Sequence, residues 1–258
     1  MKNNLVSVLI TNYNKGKFLK NSITSVLNQT YVNKEVLLFD DCSKDDSLKI
    51  LSKYRKIKII RNKNKKYKSG PLNQIYGLEK LFKLSKGNII YLLDGDDMFK
   101  KTKLSEINKL FKKNNKINFL QDTPLYSNYR NKIILKKKKH IFSIWPSFFP
   151  TSCITIKRKF FSNFLKYSKK NHFPNLEIDA RLSIYAYLNK QFLISKKSLT
   201  IYNYDAKGIS SKYKQFTKNW WKKRSEAFEY IIFVSRKLNK KFYLGPDFII
   251  TKKINYFI

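Results

Sequence analysis

Cysteine and histidine are nearly absent from this 258-residue chain, which holds two of each. Cys42 and Cys153 lie far apart and form no CxxC or Cys/His spacing, so neither a disulfide framework nor a zinc site is indicated, and a reducing cytoplasm fits. His140 and His172 are equally isolated. A His-based metal centre or a Ser-His-Asp triad therefore has no support, and each His reads as structural. No run approaches the roughly 18 to 20 apolar residues that a membrane span needs. The apolar start at 5–11 stops at Asn12-Tyr13-Asn14-Lys15 before a signal-peptide core could form, so a cytoplasmic or peripheral location is expected. Neither repeats nor Gly/Ser linkers divide the chain. Its 42% hydrophobic content suffices for one large α/β domain or two small ones.

Acid is the other scarcity: 17 Asp+Glu stand against 55 Lys+Arg, a formal charge of +38. Lys, Asn, Ile, Phe and Tyr are all abundant, as codon bias from an A+T-rich genome would produce, so much of the Lys reads as solvated filler. Residues 123–176, however, contain no acid while carrying basic clusters at 136–139, 157–159 and 169–170. Such a one-sided field attracts phosphates, anionic lipid headgroups or nucleic acid. Against this background seven acids crowd into two short segments: Asp40, Asp41, Asp45 and Asp46, then Asp94, Asp96 and Asp97. Crowded carboxylates repel, and a divalent cation or Lys/Arg keeps them ionised. The bland alternative is a helix start decorated with Asp.

Hydrophobic spacing predicts alternating elements in the first half: strands at 5–11, 35–39, 57–60 and 88–93, with helices at 18–29, 43–51 and 70–86 between them. A basic loop fills 61–68. A β-α-β-α-β-α-β array of this kind implies a mainly parallel sheet whose ligands bind outside the carboxyl ends of the strands. Both acid clusters sit at such ends, so they can face one crevice. Beyond residue 100 the pattern weakens. Helix is expected at 102–114, extended chain at 117–122, 132–135 and 148–156, and helix again at 177–189 and 215–238. The last is amphipathic and basic, which suits packing on the domain first and membrane-surface binding second.

Three blocks together, VSVLITNYNKGKFLKNSITSVLNQTY at 6–31, EVLLFDDCSKDDS at 35–47 and GNIIYLLDGDDMF at 87–99, resemble the inverting family-2 glycosyltransferases of the GT-A fold. SCITIKRKFF, EIDARL and IYNYDAKGIS are similar to later landmarks of that family. The resemblance implies a mainly parallel central sheet flanked by helices, Rossmann-like in its N-terminal half, with a helical C-terminal extension. It also implies a catalytic domain at 1–210, with a nucleotide-sugar half at 1–104 and an acceptor half at 105–210, and a basic helical extension at 211–258.

The chemistry implied is transfer of a sugar from a nucleotide-diphosphate donor, of UDP or dTDP type, to a hydroxyl of a cell-surface glycan or lipid-linked acceptor at the cytoplasmic membrane face. Mg²⁺ or Mn²⁺ would stabilise the departing diphosphate. By similarity Thr11 and Tyr13 line the nucleotide pocket, Asp41 accepts from the base N–H, Asp96 approaches the ribose, and Asp97 holds the metal with Asp96 and Asp94 in support. Asp40 divides between a direct contact and a strand-ending cap. Asp179, at a helix start, is the base for the acceptor hydroxyl in a pocket that excludes water, with Glu177 as the alternative if the register slips by two. The segment 69–73 departs from the family pattern, with Leu72 where an Arg often precedes Asn73. Only Asn73 is carried over there as a nucleotide contact, and Arg61, Lys66 or Lys68 are the alternative basic contacts to the diphosphate. Competing readings are a nucleic-acid or polyanion-binding protein, which leaves the acid clusters without a role, and a metal-dependent nucleotidyltransferase or phosphohydrolase, for which no Walker A or Gly-rich loop is present.

Overall fold

The computed structural model describes residues 4–128, 131–133, 149–168, 172–204, 208 and 212–258. His140, the basic clusters at 136–139 and 169–170, the strand expectation at 134–135 and part of the 201–210 landmark lie outside the described residues.

The first half is built as the alternation predicts: β1 (Val6–Asn12), α1 (Gly16–Leu27), β2 (Lys34–Asp40), α2 (Ser47–Leu51), β3 (Lys58–Arg61), α3 (Gly70–Leu84) and β4 (Ile89–Asp94). The short β5 (Met98–Phe99) and α4 (Lys103–Lys113) follow. Then come β6 (Phe119–Asn128), β7 (Asn131–Ile133), a 3-10 turn (Thr151–Cys153), β8 (Ile154–Lys157), α5 (Arg158–Tyr167), α6 (Ile178–Leu188), β9 (Phe192–Asn203), α7 (Lys218–Lys237) and α8 (Pro246–Phe257). Among the described residues one sheet runs β3-β2-β1-β4-β8-β6-β9-β5, with β7 paired to β6 off that path. β1 to β4 are parallel, whereas β8 runs antiparallel to both β4 and β6.

Alternation along β1 explains the two layers. Val6, Val8 and Ile10 face α1 and α4, where Leu19, Ile23, Val26, Leu104, Ile107 and Phe111 complete one core. Leu9 faces the other layer with Leu37, Phe39, Ile75, Leu78 and Leu81. Each such side chain contributes about 1.5–3 kcal/mol by leaving water. Gly77 lets α3 seat on β2, since a Cβ there would lie 2.4 Å from the Phe39 ring. α5 and β9 escape the sequence reading, whereas α8 falls within the helical extension expected at 211–258. The hydrophobic stripe of α7 is packed: Ala227, Phe228, Tyr230, Ile231 and Val234 are buried. The parallel array brings the ends of β1, β2 and β4 to one rim.

Candidate active site

Strand register sets that rim, because Thr11 aligns with Asp94 across β1 and β4, and Asn12 aligns with Asp40 across β1 and β2. The turn after β4 then folds back onto β1. Gly95 is needed for it: a Cβ would lie 2.5 Å from Asn12 Oδ1.

At the end of β4, Asp94 Oδ1 accepts from Thr11 Oγ1 at 2.9 Å and from Gln74 Nε2 at 2.7 Å. Its backbone N–H donates to Ser152 Oγ at 3.0 Å, and Ser152 Oγ donates in turn to Asp97 Oδ2 at 2.5 Å. The backbone N–H of Asn203 reaches Asp97 Oδ1 at 2.9 Å. Asp96 forms an ion pair with Lys15, whose Nζ lies 2.5 Å from Oδ2. Burial pushes the Asp94 carboxyl up to about 7, with repulsion from Asp96 and Asp179 adding to it and the bonds from Thr11 and Gln74 opposing. Asp97, wholly buried, is raised well above its usual value by burial first and then by Asp96 and Asp94. Asp179, the second residue of α6, thus stands within electrostatic reach of the cluster although 85 residues separate it from Asp94.

The end of β2 is arranged differently. Asp40 Oδ1 accepts from Asn12 Nδ2 and Ser43 Oγ, each at 2.7 Å, and its Oδ2 accepts from Ser43 N at 3.0 Å. Asp40 therefore caps the strand and closes the turn. Asp41 looks the other way, accepting from Asn62 Nδ2 at 3.2 Å. Burial raises its carboxyl, while the Asn62 bond and nearby Lys65 pull it down. Lys65 Nζ sits 3.5 Å from the centroid of the half-exposed Tyr13 ring. Tyr13, Asp41, Asn62 and Lys65 thus form the rim next to the carboxylate cluster.

Two expected contacts prove to be engaged within the protein. Thr11 is bonded to Asp94 as above, and both polar atoms of the buried Asn73 bond the backbone of Tyr67 at 2.8 Å, which shapes the basic loop. Gln74, one residue on, is the α3 side chain that reaches the acids. Glu177, the alternative to Asp179, occupies the N-cap position of α6 without a side-chain capping bond and pairs with Lys223 at 2.5 Å.

Beneath the cluster lies an ion pair that the sequence did not reveal. Lys103 and Asp122 are wholly buried, with Nζ 2.7 Å from Asp122 Oδ1, and Nζ also donates to Ser152 O and Thr200 Oγ1 at 2.6 Å. It anchors the 3-10 turn that presents Ser152 to Asp97. A lone Lys in a Lys-rich helix and a lone Ser in a loop carry no sequence signal. Only an apolar setting for Lys103 distinguishes it from its neighbours.

Among the described residues no three acid, His or Cys side chains converge as a ready-made metal cage. The donor set nevertheless suits a hard divalent cation. Mg²⁺ is commonly held by one or two carboxylates plus substrate phosphates, and Asp94 and Asp97 each feel repulsion from neighbouring acids.

Comparison with known proteins identifies the family and the fold. The family model described as "Glycosyl transferase family 2" matches residues 7–178. The UDP-Glc:alpha-D-GlcNAc-diphosphoundecaprenol beta-1,3-glucosyltransferase WfaP of Escherichia coli is 33% identical over 132 residues, covering 51% of this chain and 47% of the relative. The poly(ribitol-phosphate) beta-N-acetylglucosaminyltransferase TarP of Staphylococcus aureus is 33% identical over 114 residues, 43% of this chain and 34% of the relative. The chain thus spans about half the length of WfaP and a third of TarP. Among solved structures, S. aureus TarS 1-349 in complex with UDP-GlcNAc superposes with a TM-score of 0.65 at 18% identity, over 97% of this chain and 70% of that one. The mannosyltransferase PcManGT from Pyrobaculum calidifontis, in complex with GDP-Man and Mn²⁺, gives 0.60 at 11% identity, over 97% and 69%. With its parallel β1–β4 array and its acids at the strand ends, the chain belongs to glycosyltransferase family 2 and has the GT-A fold.

Proposed function

We propose that this chain transfers a sugar, with inversion, from a UDP- or dTDP-linked donor to a hydroxyl of a lipid-linked or cell-surface glycan. The observation that carries this reading is the Asp94-Gly-Asp-Asp cluster at the end of β4, with Asp97 buried, Asp96 paired to Lys15 and Asp179 near enough to raise the Asp94 carboxyl. Tyr13 and Asp41 would hold the base, with Asp41 accepting its N–H, and Asp96 would meet the ribose. Asp97, with Asp96 and Asp94 in support, would hold Mg²⁺ or Mn²⁺, which when bound neutralises charge on the departing diphosphate.

Asp179 takes the acceptor hydroxyl proton as that oxygen attacks the anomeric carbon opposite the diphosphate. A new C–O bond forms, the old one breaks, and its electron pair leaves with the nucleotide. Ser152 and the Asn203 N–H fix Asp97 during this step, while Thr11 and Gln74 fix Asp94.

The relatives' names support a nucleotide-sugar donor and a lipid-linked or polymer acceptor. A screen of UDP-glucose, UDP-N-acetylglucosamine, dTDP-glucose and GDP-mannose with Mg²⁺ or Mn²⁺ tests the reading. We expect nucleotide release from a UDP or dTDP sugar, reduced about 100- to 10,000-fold in Asp179→Asn. Undiminished turnover in Asp179→Asn and Asp97→Asn would sink the residue assignments.

We also place the chain at an anionic membrane surface. No helix among the described residues is long and apolar enough to cross a membrane. α8, however, exposes Ile249, Ile250, Tyr256 and Phe257 on one face beside Lys252 and Lys253. Co-sedimentation with phosphatidylglycerol vesicles at physiological salt is expected, and its absence would argue against that location.

A further inference from the structure

The approach to α6 at residues 173–177, the end of the family-matched segment 7–178, is held by the C-terminal helix α7, and Asp179 follows in the first turn of α6 just past that segment. Residues 173, 175 and 177 of the approach to that turn each engage one face of α7. The Phe173 ring meets Tyr230 and Phe233, with centroids 5.5 and 6.3 Å apart. Asn175 donates its backbone N–H to Glu226 Oε2 at 2.7 Å and its side-chain Nδ2 to Oε1 at 2.5 Å, while Tyr213 donates its hydroxyl to Asn175 Oδ1 at 3.1 Å. Glu177 pairs with Lys223, whose Nζ is 2.5 Å from its carboxylate. Lys223, Glu226, Tyr230 and Phe233 recur at steps of three and four, so a single helical stripe meets the turn that leads into α6 at residues 173, 175 and 177.

The segment needs such a hold. Phe173 sits at φ 62, a left-handed backbone that a bulky side chain adopts only when its surroundings enforce it. Arg181, wholly buried, supplies part of that enforcement by donating to the carbonyls of Phe173, His172, Leu176 and Ser168 at 2.6 to 2.9 Å. Ser69, the cap of α3, adds a bond to Pro174 O at 2.5 Å. α3 also presents Gln74 to Asp94, so the acid-bearing turn is clamped between the donor-side helix and α7.

We infer that α7 is part of the catalytic apparatus, with Lys223 and Glu226 as positioning residues that fix Asp179 against the carboxylate rim. The inference rests on the assignment of Asp179 as base. Neither residue touches the reacting atoms. A displacement of about an ångström in the turn is enough to cost a general base about 100-fold in rate, without touching the nucleotide rim formed by Tyr13 and Asp41.

The test compares wild type with Lys223→Met, Lys223→Arg, Glu226→Gln, Tyr213→Phe and Asp179→Asn, and with Lys222→Met as a charge-loss control on the exposed face. The probe is hydrolysis of UDP-glucose and UDP-N-acetylglucosamine with Mn²⁺, water standing in for the acceptor, together with UDP affinity by calorimetry and a thermal melt. We expect kcat to fall about 10- to 100-fold in Lys223→Met and Glu226→Gln, with KM and UDP affinity within about twofold. Lys223→Arg should recover most of the loss, and Lys222→Met should match wild type. Tyr213→Phe, which removes one oxygen, should fold and lose about threefold in kcat, so the test stands even if a core-facing variant does not fold. Wild-type kcat in the folded brace variants, with Asp179→Asn inactive, would overturn the inference alone. A joint fall in kcat and UDP affinity that Arg does not rescue would also overturn it. Full turnover in Asp179→Asn would overturn the base assignment and the inference with it.

Discussion

The ends of β2 and β4 look alike in sequence, each closing an apolar strand with paired Asp, yet they are opposite environments. Asp40 spends both oxygens on three donors from Asn12 and Ser43 and stabilises a turn. Asp97 is buried and Asp94 partly so beside other acids, and their charge is disfavoured. The difference lies in the balance: Asp94 and Asp97 also accept two hydrogen bonds each, but burial first and neighbouring acids second outweigh them. A protein that accepts such crowding loses stability to keep a site poised for positive charge, which is where function concentrates.

The largest effect should come from Asp97→Asn. Removing the carboxylate that would hold the cation behind the departing diphosphate is expected to lower turnover about 1,000-fold or more, while the melting temperature holds or rises because the charge was disfavoured by burial. A melting temperature that falls with activity would erase the contrast with Asp40. Next, Lys103→Met leaves Asp122 buried without its cation and should cost roughly 3–5 kcal/mol in denaturant unfolding.

Titration sharpens the comparison further. Asp94 is lifted from 3.8 to about 7 in the folded protein, so between those pH values the folded state holds a proton that the unfolded state has released. Unfolding free energy should therefore fall as pH rises through that window and level off above about 7, by at most about 4 kcal/mol. Asp94→Asn should flatten this slope, as should millimolar Mn²⁺. The smallest effect belongs to Asp40→Ala. It strands the donors of Asn12 and Ser43 and should cost about 1–3 kcal/mol, with turnover per folded molecule near wild type. Loss of nucleotide binding there would give Asp40 a direct role.

Much of the fold was legible because parallel strands buried on both faces read as apolar runs, and β1, β2 and β4 are of that kind. α5 escaped because its apolar residues Phe160, Phe161 and Phe164 follow a strand without a turn signal, and β9 escaped because its exposed Lys196 and Lys197 break the alternation. The acids of the site were visible as rare residues in a basic chain. Their supports were not: Ser152, Gln74, Lys103 and Asn203 are common residues that reach the cluster only through long-range packing. The α7 contacts to the Asp179 turn were likewise hidden, since basic residues on an amphipathic helix read as solvated or membrane-facing until the approach segment is seen beneath them.

Titration of UDP into wild type, Asp97→Asn and Asp179→Asn, with and without Mn²⁺, tests the division of labour most directly. We expect Mn²⁺-dependent binding in wild type and in Asp179→Asn, weakened about tenfold or more in Asp97→Asn. Equal UDP affinity in all three proteins, indifferent to Mn²⁺, would contradict the assignment of the β4 acids to the donor.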